Sequence, residues 1–408
     1  MNKTMLRKYA RLIVECGANV QKKQEVIIYC AVDRYDFAQL VAEECYRAGA
    51  SEVTVEWNCQ PITKLHYKKM TLKKLSEFPA WREEKLKRQA EVLPATIHIL
   101  SDDPDGLNGI NYEKMAKARQ AIYPRIKPYR TAMENKYQWT IAAVPSPAWA
   151  KKVFPGERAS VAMNKLWDAI FATCYVDAES DAVATWKNRN AEFKKRSSLL
   201  NEKKFDYLHY KSSNGTDFKV WLMPVSRWGG GSDVTLGGVS FNPNLPTEEV
   251  FTAPWKGKAE GRLVSTMPLS YNGALIENFE FTFKDGKVVG HKAEKNDDLL
   301  EKMITMDEGS AYLGEVALVP KGSGVAKCGV LFYETLFDEN ASCHIALGSG
   351  YPDCMDGFEN MSPDERKEKG LNDSMIHVDF MVGADDLSIT GYKDGKPFAI
   401  FKDGTWAF

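Results

Sequence analysis

A histidine and an aspartate two residues apart, His377 and Asp379, stand in the alternating apolar segment Met375 to Met381. The alternation predicts a β-strand, whose two-residue period places both side chains on one face, about 7 Å apart at Cα. An imidazole and a carboxylate at that separation can bind one metal ion. The alternative is a hydrogen-bonded pair at the end of a strand, and the motif alone does not decide between them.

A second acid and histidine, Glu339 and His344, are five residues apart. That spacing puts them on different faces of either a helix or a strand, so they can meet only if the chain turns between them. Asn340 and Ser342, which lie between them, favour such local turns. The glycines at 348 and 350 permit a close approach of the backbone just beyond this segment.

Two further carboxylates are candidates for the same chemistry. Glu315 lies within the apolar segment from Leu313 to Val319, where an unpaired buried carboxylate would need a cation or a strong hydrogen-bond partner. Glu249 follows a proline-marked loop and is preceded by Glu248. The alternative for these two acids is the first turn of a helix, which Thr-Glu-Glu suits, Glu248 in particular.

The remaining reactive side chains favour structural roles. His66 is expected on a lysine-rich helix surface, His98 in a strand core, and His209 and His291 in hairpins without a carboxylate in a ligand arrangement. Cys343 and His344 cannot form a nucleophile–base pair, because neighbouring residues of a strand point to opposite faces. The glycine-rich stretch 228–232 lacks the lysine of a phosphate-binding loop and predicts a flexible hairpin or lid.

The elements that position these residues differ between the two halves of the chain. Strand-like segments alternate with helical ones in the first half, which predicts βαβ units and a mostly parallel sheet. No GxGxxG follows the first of these strands, so a dinucleotide site is not supported. The predicted strands are Glu25–Cys30, Glu52–Trp57, Ala95–Leu100 and Trp139–Val144, and the first helix between them spans residues 34–48.

A helical segment from about residue 158 to 200 is expected to link the halves, and the second half changes character. Short strand-like runs are separated there by turn dipeptides that mark tight hairpins. These dipeptides are Asn214-Gly215, Asn272-Gly273, Asp285-Gly286, Asp394-Gly395 and Asp403-Gly404. We therefore predict an α/β domain over residues 1–195 and a β-rich α+β metal-binding domain over residues 196–408.

The composition argues against several classes of protein. A net charge of −1 gives no basic excess for a sequence-independent grip on nucleic acid. No apolar run is long enough for a membrane span, and the amphipathic spacing of residues 1–20 predicts a helix rather than a signal peptide. The eight cysteines are scattered without a CxxC pair, which fits a reducing cytoplasm better than a disulfide framework.

Four segments of the second half resemble the signature blocks of the thermophilic aminopeptidase family, the aminopeptidase T and aminopeptidase S type of metallopeptidase. They are NLPTEEVFTAP, YLGEVALV, ENASCHIALG and MIHVDFMVG, and they occur in the family's order. The resemblance implies a dinuclear site bound by Glu249, Glu315, Glu339, His344, His377 and Asp379. It also implies that Glu315 bridges the ions and that Tyr351 lies at or beside them.

The resemblance further implies a homodimer that removes N-terminal residues from small peptides with a free amino group. Carboxylates and imidazoles without a thiolate suit two divalent ions, Zn, Co or Mn, with Mg tolerable. Tyr351 then donates to a developing oxyanion or binds metal, unless it is a packing residue beside Pro352. Two alternatives stay open at this point: another metal-dependent amidohydrolase, and a non-catalytic binding protein stabilised by metal.

Overall fold

The architecture is taken from a computed structural model, which describes residues 3–271 and 274–408. The chain divides into two compact units. The first comprises Met1–Lys187 and Ser232–Pro246, and the second comprises Asn188–Gly231 and Thr247–Phe408. The expected boundary between residues 195 and 196 falls within one helix of the structure and stays a prediction.

The helices and strands of the described residues are numbered in chain order. The α-helices are α1 (Lys3–Leu12), α2 (Tyr35–Ala48), α3 (Gln60–Lys69), α4 (Leu72–Leu75), α5 (Ala80–Val92), α6 (Tyr112–Met133), α7 (Pro147–Val153), α8 (Ala159–Thr173), α9 (Ala182–Lys203), α10 (Asp297–Ile304), α11 (Thr335–Asp338) and α12 (Pro363–Glu368). The strands of the first half are β1 (Glu25–Ala31), β2 (Glu52–Asn58), β3 (Ala95–Leu100) and β4 (Trp139–Ala143). Those of the second half are β5 (Tyr207–Lys211), β6 (Asp217–Leu222), β7 (Gly229–Gly230), β8 (Asp233–Val234), β9 (Ser240–Phe241), β10 (Val250–Thr252), β11 (Pro254–Val264), β12 (Leu269–Tyr271), β13 (Ala274–Lys284), β14 (Lys287–Lys295), β15 (Leu313–Leu318), β16 (His344–Gly348), β17 (His377–Met381), β18 (Ser388–Lys393), β19 (Lys396–Lys402) and β20 (Thr405–Trp406).

The first unit is built on a four-stranded sheet in the order β2-β1-β3-β4, and every pair in it is parallel. The prediction of βαβ units and a parallel sheet is confirmed. The N-terminal amphipathic segment is helical, and α1 continues into a π-helical turn at Ile13–Gly17. In this unit the short strands β8 and β9 pair with each other.

The two faces of this parallel sheet are packed differently. Val26, Ile28 and Cys30 of β1 are buried on one face, where α2 also buries Phe37 and Val41. The opposite face carries α5 and α6, yet no residue of α5 is buried. The apolar face therefore supplies most of the burial that holds this sheet together.

The second unit contains a five-stranded sheet in the order β17-β16-β15-β10-β7, and its pairs are antiparallel. One face of this sheet is apolar and belongs to the main core of the unit, with Val316, Ile345 and Phe380 fully buried. The ring of Phe380 contacts Phe281 of β13 at a centroid distance of 5.2 Å. Because strand side chains alternate, the other face is left for the candidate ligands.

A nine-stranded sheet completes the second unit and runs in the order β12-β13-β11-β6-β5-β18-β19-β20, with β14 beside β13. The predicted β-rich character of the second half is confirmed. Four of the five turn dipeptides join paired strands as predicted, whereas Asn272-Gly273 lies outside the described residues.

Of two expectations about connecting segments, one is confirmed and one is wrong. The stretch 158–200 is helical as predicted, and it contains two helices, α8 and α9. The glycine-rich stretch is not a lid: Gly229 and Gly230 form β7 and pair with Phe251 and Val250 of β10. None of the helices in the described part of the chain combines the length and apolar character needed to span a bilayer.

Candidate metal centre

The candidate ligands gather on one face of the five-stranded sheet. Glu315 of β15 pairs with Ala346 of β16, which pairs with Asp379 of β17. Directly opposed residues of antiparallel strands share a face, so the two carboxylates flank one small methyl group. A larger residue at 346 would fill the space in which they converge. His377 lies in the neighbouring row, opposite Gly348.

A β-bulge at Gly314 sets the direction of Glu315. The pairing shifts there, since Leu313 opposes Leu347 whereas Glu315 opposes Ala346. The extra residue lets Leu313 join the apolar core while Glu315 faces the ligand side, although regular alternation would place both on one face. A Cβ at position 314 would lie 2.3 Å from the carbonyl oxygen of Ser349, so only glycine fits.

Two overlapping groups of side chains could each hold an ion. Glu249, Glu315 and His344 present ligand atoms within 4.8 Å of one another, and so do Glu315, His377 and Asp379. All are buried except the half-buried His377. Glu315 is common to both groups, which is the position that a bridging carboxylate requires.

Both histidines are oriented by backbone carbonyl groups. His377 Nδ1 lies 2.7 Å from the carbonyl oxygen of Ser349, and His344 Nδ1 lies 3.3 Å from that of Ser342. A proton on each Nδ1 leaves Nε2 to face the acids. His377 Nε2 is 2.9 Å from Glu315 Oε2, and His344 Nε2 is 3.1 Å from Glu249 Oε2. Metal-binding histidines are commonly oriented in this way.

The electrostatics of the cluster are those of crowded buried acids. Burial raises the pKa of Glu315, and the charge of Glu249 raises it further, against the contact with His377. Burial lowers the pKa of His344, but the hydrogen bond and charge of Glu249 outweigh it and set this pKa to about 10. Without a metal ion, the protonated imidazoles are the groups that neutralise the negative charge of the carboxylates. Divalent cations can replace these protons.

Glu339, the sixth predicted ligand, lies in a turn and belongs to neither of the two ligand groups found among the described residues. The chain passes from α11 through a 3₁₀ turn at Glu339–Ala341 and then enters β16, so the turn expected between Glu339 and His344 is present. Burial raises the pKa of Glu339 well above its usual value, and the charges of Asp379 and Glu249 raise it further. Two candidate ligands, Asp379 and Glu249, therefore act electrostatically on its carboxyl group.

Tyr351 lies at the edge of the site and keeps 44% of its surface exposed. Its ring lies 4.7 Å from that of His377 and 6.2 Å from that of Phe251, centroid to centroid. The residue is thus not a packing tyrosine of the interior. It stands beside a candidate ligand and is open to solvent.

The sequence indicated Asn340 only as a turn residue, whereas the structure also shows it supporting the candidate ligands. Asn340 is fully buried; its Oδ1 accepts from the backbone N–H of Glu248 at 2.6 Å, and its Nδ2 donates to the carbonyl oxygen of Leu336 at 3.0 Å. The same Nδ2 lies 3.4 Å from Glu339 Oε1. One amide therefore ties the segment before β10 to the turn that carries Glu339. Its position next to Glu339 was the one available signal.

The helix-start interpretation of Glu248 and Glu249 is wrong, because residues 247–249 are not helical and lead directly into β10. Glu248 is buried instead, and its carboxylate lies 2.5 Å from Arg189 Nη2 and accepts from the backbone N–H of Gly324 at 3.1 Å. The guanidinium balances the buried charge of Glu248. Glu249 is left to face the cluster.

The other histidines are outside this cluster, but two of them do have acidic partners. His209 Nε2 lies 2.6 Å from Asp217, and the two nitrogens of His291 lie 3.0 Å from Asp297 and 2.7 Å from Glu301. Both histidines therefore have a nearby carboxylate, but neither belongs to a candidate metal-binding group of the described residues, as the sequence predicts. The carboxylates of Asp297 and Glu301 contact opposite ring nitrogens of His291, so all three cannot bind one ion.

The other reactive groups agree with expectation except His98. His66 is exposed as predicted, whereas His98 is not in the core: it is half-buried and stacks on Tyr29 with a centroid distance of 4.7 Å. Cys343 is buried in the core, and burial raises the pKa of its thiol to about 12. A thiol held neutral on the opposite face from His344 is no nucleophile.

The residues present fit divalent cations. Asp379 Oδ1 is buried and has no hydrogen bond within the described residues, although it lies 3.3 Å from His377 Nε2. Such an orphaned acceptor is costly unless a cation or a proton satisfies it. Oxygen and imidazole donors without a thiolate suit borderline and hard ions. Fold and cluster together define a metal-binding protein with its ligands on one face of an antiparallel sheet.

Comparison with known proteins shows the family to which this metal-binding chain belongs. The model of the thermophilic metalloprotease family (M29) matches residues 2–406, and the chain belongs to this family, whose members hydrolyse peptide bonds with metal. It is 41% identical to aminopeptidase AmpS of Bacillus subtilis (strain 168), over 99% of this chain and 98% of that protein. It is 38% identical to aminopeptidase T of Thermus thermophilus, over 99% and 98% respectively. The solved structure of wild-type AmpT from Thermus thermophilus has a TM-score of 0.91, 37% identity, and full coverage of both chains.

Proposed function

We propose that this protein is an aminopeptidase that releases N-terminal residues from peptides at a site for two divalent ions. Glu249, Glu315, Glu339, His344, His377 and Asp379 would hold the ions. The observation that carries the proposal is that Glu315 belongs to both ligand groups, so that its carboxylate would be shared by two ions. The names of the relatives support aminopeptidase rather than endopeptidase action.

Two bound divalent ions supply Lewis-acid polarisation of a carbonyl group and a water of lowered pKa. The chain's own contribution is to fix the donors. The backbone carbonyls of Ser349 and Ser342 hold the Nδ1 protons of His377 and His344, so that Nε2 faces inward in each ring. Buried surroundings of low polarity strengthen each charge interaction in the cluster.

The surplus of acids explains a preference for a free amino terminus. A peptide's α-ammonium group is attracted to the carboxylate cluster, and an acylated terminus is not. Tyr351 is placed to meet the substrate because it is exposed and its ring contacts His377. Its hydroxyl would donate a hydrogen bond to the substrate carbonyl oxygen as negative charge develops there.

A matched pair of substrates tests the proposal. Leucine p-nitroanilide and its N-acetyl derivative differ only in the free amine, and an aminopeptidase hydrolyses the first alone. A different metal-dependent amidohydrolase would accept both, and a non-catalytic binding protein would accept neither. Metal analysis of the purified protein, with activity before and after chelation, then identifies which of Zn, Co, Mn or Mg restores hydrolysis.

The proposal extends to location and assembly. The eight cysteines are free thiols, in keeping with a cytoplasmic location, because disulfides are rare in reducing compartments. We expect a homodimer, on family resemblance. Sedimentation at micromolar concentration measures the mass directly, and a species of 45.9 kDa, the mass of one chain, would contradict the dimer.

A further inference from the structure

A groove in the first unit, between α5 and α6, has no part in the proposed peptidase site. It encloses a cavity of about 750 Å³ over the four-stranded sheet. Pockets for small molecules usually measure about 300–1,000 Å³. Its existence follows from the packing already described, because no residue of α5 is buried against the sheet.

The floor of the groove is a polar row of the sheet. Glu56, Tyr29 and His98 are cross-strand neighbours of β2, β1 and β3 and share one face. Parallel sheets are normally covered on both faces and apolar on both. Here the polar floor groups are paired: Glu56 lies 2.6 Å from Lys85 Nζ, and the Tyr29 hydroxyl accepts from Gln89 Nε2 at 3.1 Å.

The wall formed by α6 combines apolar and cationic groups on one stripe. Arg119, Ile122, Tyr123, Ile126 and Arg130 line the groove at helical spacing, i, i+3, i+4, i+7 and i+11. The two arginines stand at the ends of the stripe, about 16 Å apart along the helix. Between them the aliphatic and aromatic side chains form an apolar surface.

The wall formed by α5 repeats this combination. Trp81 is 64% exposed, and the Arg82 guanidinium lies 5.2 Å from the centroid of its ring. Leu86 lies four residues beyond Arg82 on the groove side. Within the described residues, Arg82, Arg119 and Arg130 form no ion pair with a carboxylate, whereas Arg125 on α6 pairs with Glu83.

The groove thus has a surplus of positive charge over an apolar interior. Its lining contains one acid, Glu56, which Lys85 already neutralises, and three further guanidinium groups. A guanidinium group recognises carboxylate, sulfonate or phosphate oxygens through a planar pair of N–H donors and also stacks on aromatic rings. The complementary ligand is a flat or branched apolar body that carries an anionic group.

We infer that the groove between α5 and α6 binds small amphipathic anions, an aromatic or aliphatic body with an acidic head group. The apolar stripe of α6 and Trp81 contact the body, and Arg119 or Arg130 pairs with the head group. This inference is independent of the proposed peptidase function, because every residue it uses belongs to the first unit.

The test uses 2-naphthoate as the probe and the neutral 2-naphthamide as its matched partner, with the full-length protein in a calorimeter. Saturable binding of the naphthoate is expected, and the amide should bind about 10- to 100-fold more weakly because it lacks the charge-assisted hydrogen bonds. Raising the salt concentration should weaken binding of the naphthoate alone. Equal affinity for the two probes, or no saturable binding of the naphthoate, would overturn the inference.

Variants assign the binding to the groove. The double substitution Arg119→Gln/Arg130→Gln should lower the affinity for the naphthoate about 10- to 100-fold. Arg7→Gln removes the same charge from another exposed helical position and should have no effect. The double variant Arg119→Lys/Arg130→Lys keeps the positive charge, so it should retain more affinity for the naphthoate than the glutamine variant. This comparison distinguishes a loss of charge from a loss of fold.

Two results would contradict this assignment. Unchanged affinity in the double glutamine variant would place the probe elsewhere. A dimer that dissociates on Trp81→Ser substitution and excludes the naphthoate would show that a second copy of the chain covers the groove instead.

Discussion

The two central sheets of the molecule each place polar groups on one face, but they satisfy these groups in opposite ways. In the five-stranded sheet the polar face is buried and acidic, and Glu315 and Asp379 flank a single alanine. In the four-stranded sheet the polar face is half-buried, and Glu56 already has Lys85 beside it. Buried acids in excess need a cation from outside the chain, whereas a half-exposed row is served by its own neighbours and by water.

This difference separates residues that matter for a ligand from those that matter for the fold. On the ligand side, a charge change should act on metal binding and catalysis. On the apolar side of either sheet, a volume change should act on the free energy of unfolding. The following substitutions test that separation, starting with the largest expected effect.

Glu315→Gln should have the greatest effect, because it removes the one carboxylate shared by both ligand groups. We expect kcat/KM for leucine p-nitroanilide to fall by about 10³-fold or more, since a metal contributes several kcal/mol at the transition state. Metal content, measured by atomic emission, should fall with it. Glu260→Gln on the exposed surface of β11 is the matched control, and equal rates for the two variants would sink the site assignment.

Phe37→Ala and Leu86→Ala compare the two faces of the parallel sheet. Phe37 is 3% exposed on the packed face, so its loss should lower the free energy of unfolding by about 3–5 kcal/mol. Leu86 belongs to α5, which buries no residue, and its loss should cost less than about 1 kcal/mol. Denaturant titration measures both, and similar values would mean that the groove face is packed as tightly as the other.

Asn340→Leu tests the support of the acidic face. The substitution introduces an apolar side chain of similar size and removes the amide that joins the backbone of Glu248 to the turn bearing Glu339. Outer hydrogen bonds of metal sites are worth about 10- to 100-fold in metal affinity. Competition with a chelator gives that affinity, and thermal unfolding of the metal-free protein shows whether stability changed. A loss of stability with unchanged affinity would reduce Asn340 to a structural role.

The smallest expected effect is the release of protons when metal binds. Because the pKa of His344 lies at about 10 without a cation, its imidazole is protonated at pH 7 and must lose that proton to bind metal. Metal uptake at pH 7 should therefore release protons, and affinity should fall as the pH is lowered. Calorimetric titration in two buffers of different ionisation enthalpy measures this release, and identical heats in the two buffers would contradict it.

Local sequence predicted most of the elements, because these depend on short patterns, and five of the six candidate ligands occur in the two groups of the structure. The alternation around His377 and the apolar segment around Glu315 were sufficient to place each acid on a strand. The supporting residues depend on pairing between distant segments, which no local pattern records. Nothing in the sequence around Ala346 reveals that it separates two carboxylates, and Thr-Glu-Glu favoured a helix where the structure has an irregular segment that leads into β10.

The groove of the first unit shows the same limit of prediction from local sequence. A helix could be predicted for the charged segment that contains α5, but not how closely that helix would approach the sheet. Even on the stripe of α6 that lines the groove, the structure leaves Tyr123 38% exposed. Distance between layers is a property of the assembled fold rather than of one helix.

If two ions bind as proposed, the shared carboxylate of Glu315 would make their binding thermodynamically dependent. The first ion would withdraw electron density from that carboxylate and add positive charge beside the second site, but it would also displace protons that repel the next ion. The two effects have opposite signs and need not cancel. Loading should therefore proceed in two unequal steps. The form that holds one ion should bind the second ion with a different affinity from that of the first step.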